Sequence, residues 1–224
     1  MIRETLYLIT DDAPSLAQVA AIRDVLASVP PGEVLVQLRG RRLTPRRDPA
    51  QPGREPACLG HGRLTTRRDP AQPGREPACL GHSRSDRALY EIGLGLRAIT
   101  HAAGTRLLVN DRVDLALAIG ADGVHLPEAG LSITEARRQL GEHAIVGASA
   151  HDRDGVTAKV QQGADLITVS PVFATESKPG QTPIGLAGLR ALADVFARAA
   201  NSGAQDQSTR APVLFALGGI VRPE

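Results

Sequence analysis

"LLVNDRVDLALAIGADGVHL", residues 107–126, holds the pattern on which the fold turns. Its opening apolar residues extend the strand candidate "RLLVN" from Arg106, and Asn110 and Asp111 close that strand with polar side chains. A helical stretch should end at Gly120, because glycine readily takes the left-handed conformation that terminates helices. "DGVHL" from Asp122 then begins another strand. Strand, helix, glycine and strand in this order make one βα step of a parallel sheet.

The step recurs. "QGADLITV" repeats the Gly-Ala-Asp of "IGADGVHL" and puts Gly163 where Gly120 stands. With "TLYLIT" from Thr5, "VLVQLR" from Val34, "AIVGAS" from Ala144, "DLITVS" from Asp165 and "VLFALG" from Val213, the strand candidates number seven. Stretches with apolar residues three and four apart lie between them, such as "SLAQVAAIRDVLASV" from Ser15 and "SITEARRQL" from Ser132. Ser132 and Glu135 have the form of a capping box.

Polar residues and glycines gather at or just past the carboxyl ends of the strands: Thr10 and Asp11, Gln37 and Arg39, Asn110 and Asp111, His125, Ser149 and His151, Ser170, Gly218 and Gly219. In a (β/α)8 barrel that rim carries the chemistry and the opposite rim serves stability. The expected fold is therefore α/β, a TIM (β/α)8-type barrel. It is expected to form a single domain over residues 1–224, to lack an eighth βα unit within this chain, and to carry a disordered insertion after the second strand. Seven strands leave two edges facing across a gap, so self-association into a homo-oligomer is expected.

Charge is unevenly placed. The formal net charge is +2, but Arg39 to Arg87 holds twelve Arg against five acidic residues. That segment has no Lys and no aromatic residue, so it lacks the stacking faces that flexible nucleic-acid binders combine with cations. Nucleic acid is not an expected partner. No apolar run reaches the length of a bilayer span and "MIRETLYLITDD" places acids where a signal peptide would be apolar, so we expect no membrane partner and a cytoplasmic location.

Within the basic segment "RRDPAQPGREPACLGH" occurs twice, at 46–61 and 67–82. Each copy spaces a cysteine and a histidine as Cys-x-x-His, giving Cys58 with His61 and Cys79 with His82, a set that Zn2+ would accept. Duplication of one unit makes the second pair automatically, so the coincidence counts once. Each copy has too few apolar residues for a stacked repeat core. We read residues 42–85 as a Pro-, Gly- and Arg-rich disordered insertion.

Candidate binding residues follow from chemistry at the strand ends. Gln37 and Arg39 are two apart and project to one side of their strand, with Arg41 following; paired guanidinium groups suit a phosphate or pyrophosphate. Asp111 at a strand end suits Mg2+ shared with a substrate phosphate. Thr175, Ser177 and Lys178 in "SPVFATESKPG" form a candidate anion pocket, and the glycines of "ALGGI" allow close backbone approach to an anion.

"LYLIT", "QLRGR", "LLVNDRVDLALAIGADGVHL", "VGASAH", "GADLITVSPVFATESKPG" and "ALGGI" together resemble the thiamine phosphate synthase and TenI family across nearly the whole chain except 42–85. The resemblance implies a transferase that condenses hydroxymethylpyrimidine diphosphate with thiazole phosphate to give thiamine phosphate and pyrophosphate. It assigns Gln37, Arg39 and Arg41 to the diphosphate, Asn110, Ser149 and Lys178 to the pyrimidine substrate, and Thr175, Ser177 and Gly219 to the thiazole phosphate, with Gly218 beside them as a further substrate-binding candidate. Asp111 would bind Mg2+, and Arg39 and Lys178 would stabilise charge on the leaving group.

Where the synthases carry a second metal carboxylate, this chain reads "PEAG" from Pro127, with Glu128 as the substitute ligand. His151 falls where the TenI branch has its acid/base histidine. The resemblance thus also admits a thiazole tautomerase using His151, or a phosphate-ligand-binding barrel without catalysis.

Overall fold

Among the described residues, seven short parallel strands form one sheet whose order is the order of the chain. They are β1 (Leu6–Ile9), β2 (Val34–Leu38), β3 (Arg106–Asn110), β4 (Gly123–Leu126), β5 (Ile145–Ala150), β6 (Leu166–Val169) and β7 (Val213–Ala216). Helices α1 (Leu16–Ser28), α2 (Leu80–Ala102), α3 (Val113–Ile119), α4 (Ile133–Leu140), α5 (Arg153–Gln161) and α6 (Gly185–Ser202) alternate with them. The computed structural model is described for residues 5–40, 80–178, 180–202 and 211–220, and for the backbone alone within 80–85. Arg41, the Cys and His pairs of the doubled segment, and residues 203–210 lie outside the described residues or side chains.

The sheet curls into a nearly closed barrel. Tyr7 of β1 and Phe215 of β7, on the two terminal strands, bring their rings to a 5.3 Å centroid separation. Strand alternation explains how the interior is layered. Leu35, Leu108, Ile145 and Leu166 meet Tyr7 and Phe215 inside the barrel as an apolar plug. Two residues further along β2, β3 and β6 come Gln37, Asn110 and Thr168, and four further along β5 comes Ser149, so one parity that is apolar at the amino end becomes polar at the carboxyl end. The opposite parity, including Val36, Leu38, Leu107, Val109, Val146, Ile167 and Val169, faces the helices and forms the larger core.

The amino-terminal ends of the strands are fastened by two matching clasps. Asp122, just before β4, accepts from the Leu107 backbone N–H of β3 at 2.8 Å and pairs with Arg97 of α2 at 2.9 Å. Asp165, just before β6, accepts from the Val146 backbone N–H of β5 at 2.8 Å and pairs with Arg137 of α4 at 2.9 Å. The Gly-Ala-Asp steps therefore end a helix and tie two strands together. Gly120 and Gly163 have φ of 64° and 80°, the left-handed geometry that this turn demands.

Two local expectations change. The Ser132 hydroxyl accepts from the Glu135 N–H at 3.1 Å, but the Glu135 carboxylate turns to Arg138 and Gln139 instead of returning to the cap. The capping box is half made, because a guanidinium one turn away is the stronger partner. Helix α2 begins at Leu80, inside the second copy of the doubled segment, so residues 80–85 of the expected disordered insertion are helical. The extra turn extends a helix already nucleated by Leu89, Ile92, Leu96 and Ile99 packing on the core. No helix among the described residues is long and apolar enough to cross a membrane.

Candidate functional site

At the carboxyl end of the barrel the polar layer opens into a cavity of about 480 Å3. Gln37, Arg39, Asn110, Asp111, Glu128, Ser149, His151, Ser177 and Lys178, all anticipated from the sequence, line it. Thr175, Gly218 and Gly219 do not.

The floor is a set of side chains that hold one another. Gln37 donates its amide N–H to Asn110 Oδ1 at 2.7 Å, which fixes both amides across β2 and β3. His125 Nε2 lies 3.0 Å from Ser149 Oγ and 3.3 Å from Thr168 Oγ1. His125 is fully buried and its Nδ1 has no hydrogen-bond partner. Burial, reinforced by the charge of Lys178, lowers its pKa to about 4, so the ring is neutral near pH 7. A neutral ring has a single N–H, and placing it on Nε2 satisfies the donor through Ser149 or Thr168. Gly147 makes room for the ring: a Cβ there would sit 2.8 Å from His125 Nδ1.

The walls carry the charge. Arg39, one residue beyond β2, forms an ion pair with Asp12, its Nε 2.7 Å from Oδ1. Lys178 donates from Nζ to Ser170 Oγ at 2.8 Å, and its pKa is held below the ordinary value by burial first and by the positive field of Arg39 second. An arriving anion would reverse that penalty. His151 donates from Nδ1 to the Ser170 carbonyl at 2.7 Å, which leaves Nε2 facing Glu128 Oε2 at 3.5 Å. Ser170 thus holds the imidazole with its main chain and the ammonium with its side chain.

Asp111 has φ of 57°, an uncommon conformation for a residue with a Cβ, and its N–H donates to the His125 carbonyl at 2.9 Å. That bond carries β3 one residue past its end and leaves the carboxylate at the rim. Arg112, which also lines the cavity, grips Asp114 at 2.7 Å and Asp86 at 3.0 Å, joining the first turn of α3 to α2.

Gly218 and Gly219 also pack the loops that carry them. A Cβ on Gly219 would come within 2.5 Å of the Ala174 carbonyl oxygen, and Phe173 N–H bonds to the Gly218 carbonyl at 3.0 Å. Their missing side chains let the loops after β6 and β7 pack backbone to backbone. Asp12, Arg112 and Thr168 escaped sequence reasoning. Thr168 had a usable signal, since it alternates with Leu166 on an inward-facing strand; Asp12 had none.

Among the described residues no three His, Cys, Asp or Glu side chains cluster as in an all-protein metal cage. The two carboxylates of Asp111 and Glu128 line the same cavity, and that donor set fits Mg2+, which needs one or two carboxylates when phosphates and water complete its shell.

The chain is a parallel (β/α) barrel whose carboxyl rim sets guanidinium, ammonium and carboxylate groups around one polar cavity, the rim where barrels of this kind carry their ligand sites. The chain belongs to the thiamine monophosphate synthase family, whose model matches residues 75–222. It is 49% identical over 111 residues to the thiamine-phosphate synthase of Natronomonas pharaonis, covering 48% of this chain and 52% of that one. It is 47% identical over 109 residues to the thiamine-phosphate synthase of Chloroflexus aurantiacus, covering 48% and 50%. The chain spans about half the length of the curated relatives it matches. Its fold is similar to that of a thiamine phosphate pyrophosphorylase from Pyrococcus furiosus, with a TM-score of 0.58 and 27% identity over 98% of this chain and 77% of that one.

Proposed function

We propose that the cavity is a thiamine phosphate synthase site, joining hydroxymethylpyrimidine diphosphate to thiazole phosphate with release of pyrophosphate. The observation that carries this reading is the convergence of Arg39, Lys178, Asp111 and the Gln37–Asn110 pair on one cavity.

In this reaction the bond from the pyrimidine methylene to the diphosphate breaks, and the thiazole nitrogen supplies the electron pair for the new bond. No protein nucleophile takes part. Arg39 and Lys178 hold the departing diphosphate and stabilise its charge as it develops. Gln37 and Asn110, already fixed to each other, present a rigid polar edge to the pyrimidine substrate, and the Ser149 hydroxyl is held by His125 and Thr168 for the same purpose. Ser177 stands at the cavity mouth, with Thr175, Gly218 and Gly219 on the adjoining loops as the thiazole phosphate contacts. Mg2+, held by Asp111 and Glu128, would supply further charge neutralisation at the diphosphate.

The reading places the chain in the cytoplasm as a single-domain enzyme, with small phosphorylated molecules as its partners. Incubation with both substrates and Mg2+ tests it: thiamine phosphate and pyrophosphate should form in equal amounts. Binding of either substrate without turnover favours a non-catalytic phosphate-binding barrel instead. The 3.5 Å approach of Glu128 to His151 supports one rival, a thiazole tautomerase. Metal-independent interconversion of thiazole isomers that disappears in His151→Ala would favour that rival.

A further inference from the structure

We propose that Thr10 is a positioning residue for Arg39, holding its backbone so that the guanidinium meets the diphosphate. The inference rests on the functional reading above for the identity of that anion.

The case begins with where the β1–β2 ladder stops. Its last register pair is Ile9 with Gln37, after which Thr10 N–H reaches the Gln37 carbonyl at 3.0 Å and β1 gives way to the loop through Asp11. Arg39 lies beyond the end of β2, where no further backbone rung is available from β1. Its N–H and carbonyl would otherwise be left to solvent at the edge of the cavity.

The buried Thr10 hydroxyl serves both groups. It accepts from the Arg39 N–H at 2.8 Å and donates to the Arg39 carbonyl at 3.0 Å, a shorter acceptor than the Asp11 carbonyl at 3.3 Å. A hydroxyl is among the few side-chain groups that donate and accept from one atom, so it replaces both halves of the missing rung. Fixing both polar groups of Arg39 fixes the direction in which its long side chain leaves the backbone.

Asp12, two residues on, then pairs ionically with Arg39, its Oδ1 2.7 Å from Nε. The loop after β1 therefore holds Arg39 at its root and at the inner edge of the guanidinium. The terminal nitrogens carry the rest of the planar fork that recognises phosphate oxygens.

The test measures binding of inorganic pyrophosphate to the full chain by calorimetry in Mg2+, alongside synthase turnover. Thr10→Val should weaken binding about tenfold, the equivalent of one hydrogen bond. Thr10→Ser, which keeps the hydroxyl, should recover most of that loss. Thr10→Ala repeats the experiment without a β-branched methyl group should the valine variant fold poorly.

The discriminating measurement is a double-mutant cycle with Arg39→Ala. In that background Thr10→Val should cost no further affinity, although its effect on melting temperature persists. An equal loss in both backgrounds, or no loss in either Thr10→Val or Thr10→Ala, overturns the proposal; so does an Arg39→Ala chain that binds pyrophosphate like its parent. Affinity that follows the cycle while no thiamine phosphate forms would sink the functional reading and leave the Thr10 role standing.

Discussion

The two rims of the barrel use the same kinds of charged side chain to opposite ends. At the amino-terminal rim Arg137 donates to the carbonyls of Glu142, Ala144 and Gly163 as well as to Asp165, so its guanidinium is spent on the chain itself. At the carboxyl-terminal rim Arg39 forms an ion pair with Asp12, Lys178 gives one bond to Ser170, and His151 faces Glu128 at 3.5 Å. Saturated cations hold a structure together, and cations with donors to spare can hold a ligand. Most polar groups at the first rim could be exchanged only at the expense of the fold, whereas those at the second can be exchanged at the expense of chemistry.

The largest effect should therefore come from the amino-terminal rim. Asp165→Ala leaves Arg137 without its carboxylate and the Val146 N–H without its acceptor, and should cost on the order of 3–5 kcal/mol of stability, read from the denaturation midpoint. Asp122→Ala breaks the matching clasp, but the Asp122 side chain is 28% exposed against 5% for Asp165, so its loss should be smaller. Equal losses would show that burial does not separate the two clasps.

Acid should strike the polar layer next. His125 has a folded pKa of about 4, below its ordinary unfolded value, so between these two pH values the unfolded chain binds more protons and stability falls as the solution is acidified. The loss should approach about 3 kcal/mol once pH reaches the folded pKa, and His125→Asn should flatten the profile over that window. An unchanged profile in the variant would place the acid sensitivity elsewhere.

Arg39→Ala should then lower pyrophosphate affinity roughly 10- to 100-fold, the range for a charge-assisted hydrogen bond. Its stability should move by no more than about 0.5 kcal/mol, and a larger change would erase the distinction between the rims. The smallest effect concerns the half-made cap of α4. Ser132→Ala should cost about 1 kcal/mol, and Glu135→Ala should cost less, because its carboxylate does not close the cap.

Legibility from the sequence divided along similar lines. All seven strands were recognisable because β-prone runs, polar strand ends and helix-ending glycines are local patterns, and nine anticipated residues do line the cavity. What stayed hidden depends on the barrel's closure. The Thr10 bonds to Arg39 and the ion pair of Asp12 with Arg39 join residues far apart in sequence through a loop whose path no periodicity encodes. The start of α2 at Leu80 was hidden by composition: the doubled segment reads as loop, yet its last residues continue a helix fastened further along by core packing. Glu128 was read only as a metal carboxylate, since its approach to His151 requires the loops after β4 and β5 to meet.

Ser170 draws these threads to one residue. Its carbonyl stations the imidazole of His151 and its hydroxyl stations the ammonium of Lys178. The two tethers are chemically independent, because every residue type retains the carbonyl and few retain the hydroxyl. Ser170→Ala would unmoor the amine while the imidazole keeps its berth, so a single codon can move one of the cavity's cationic groups without moving the other.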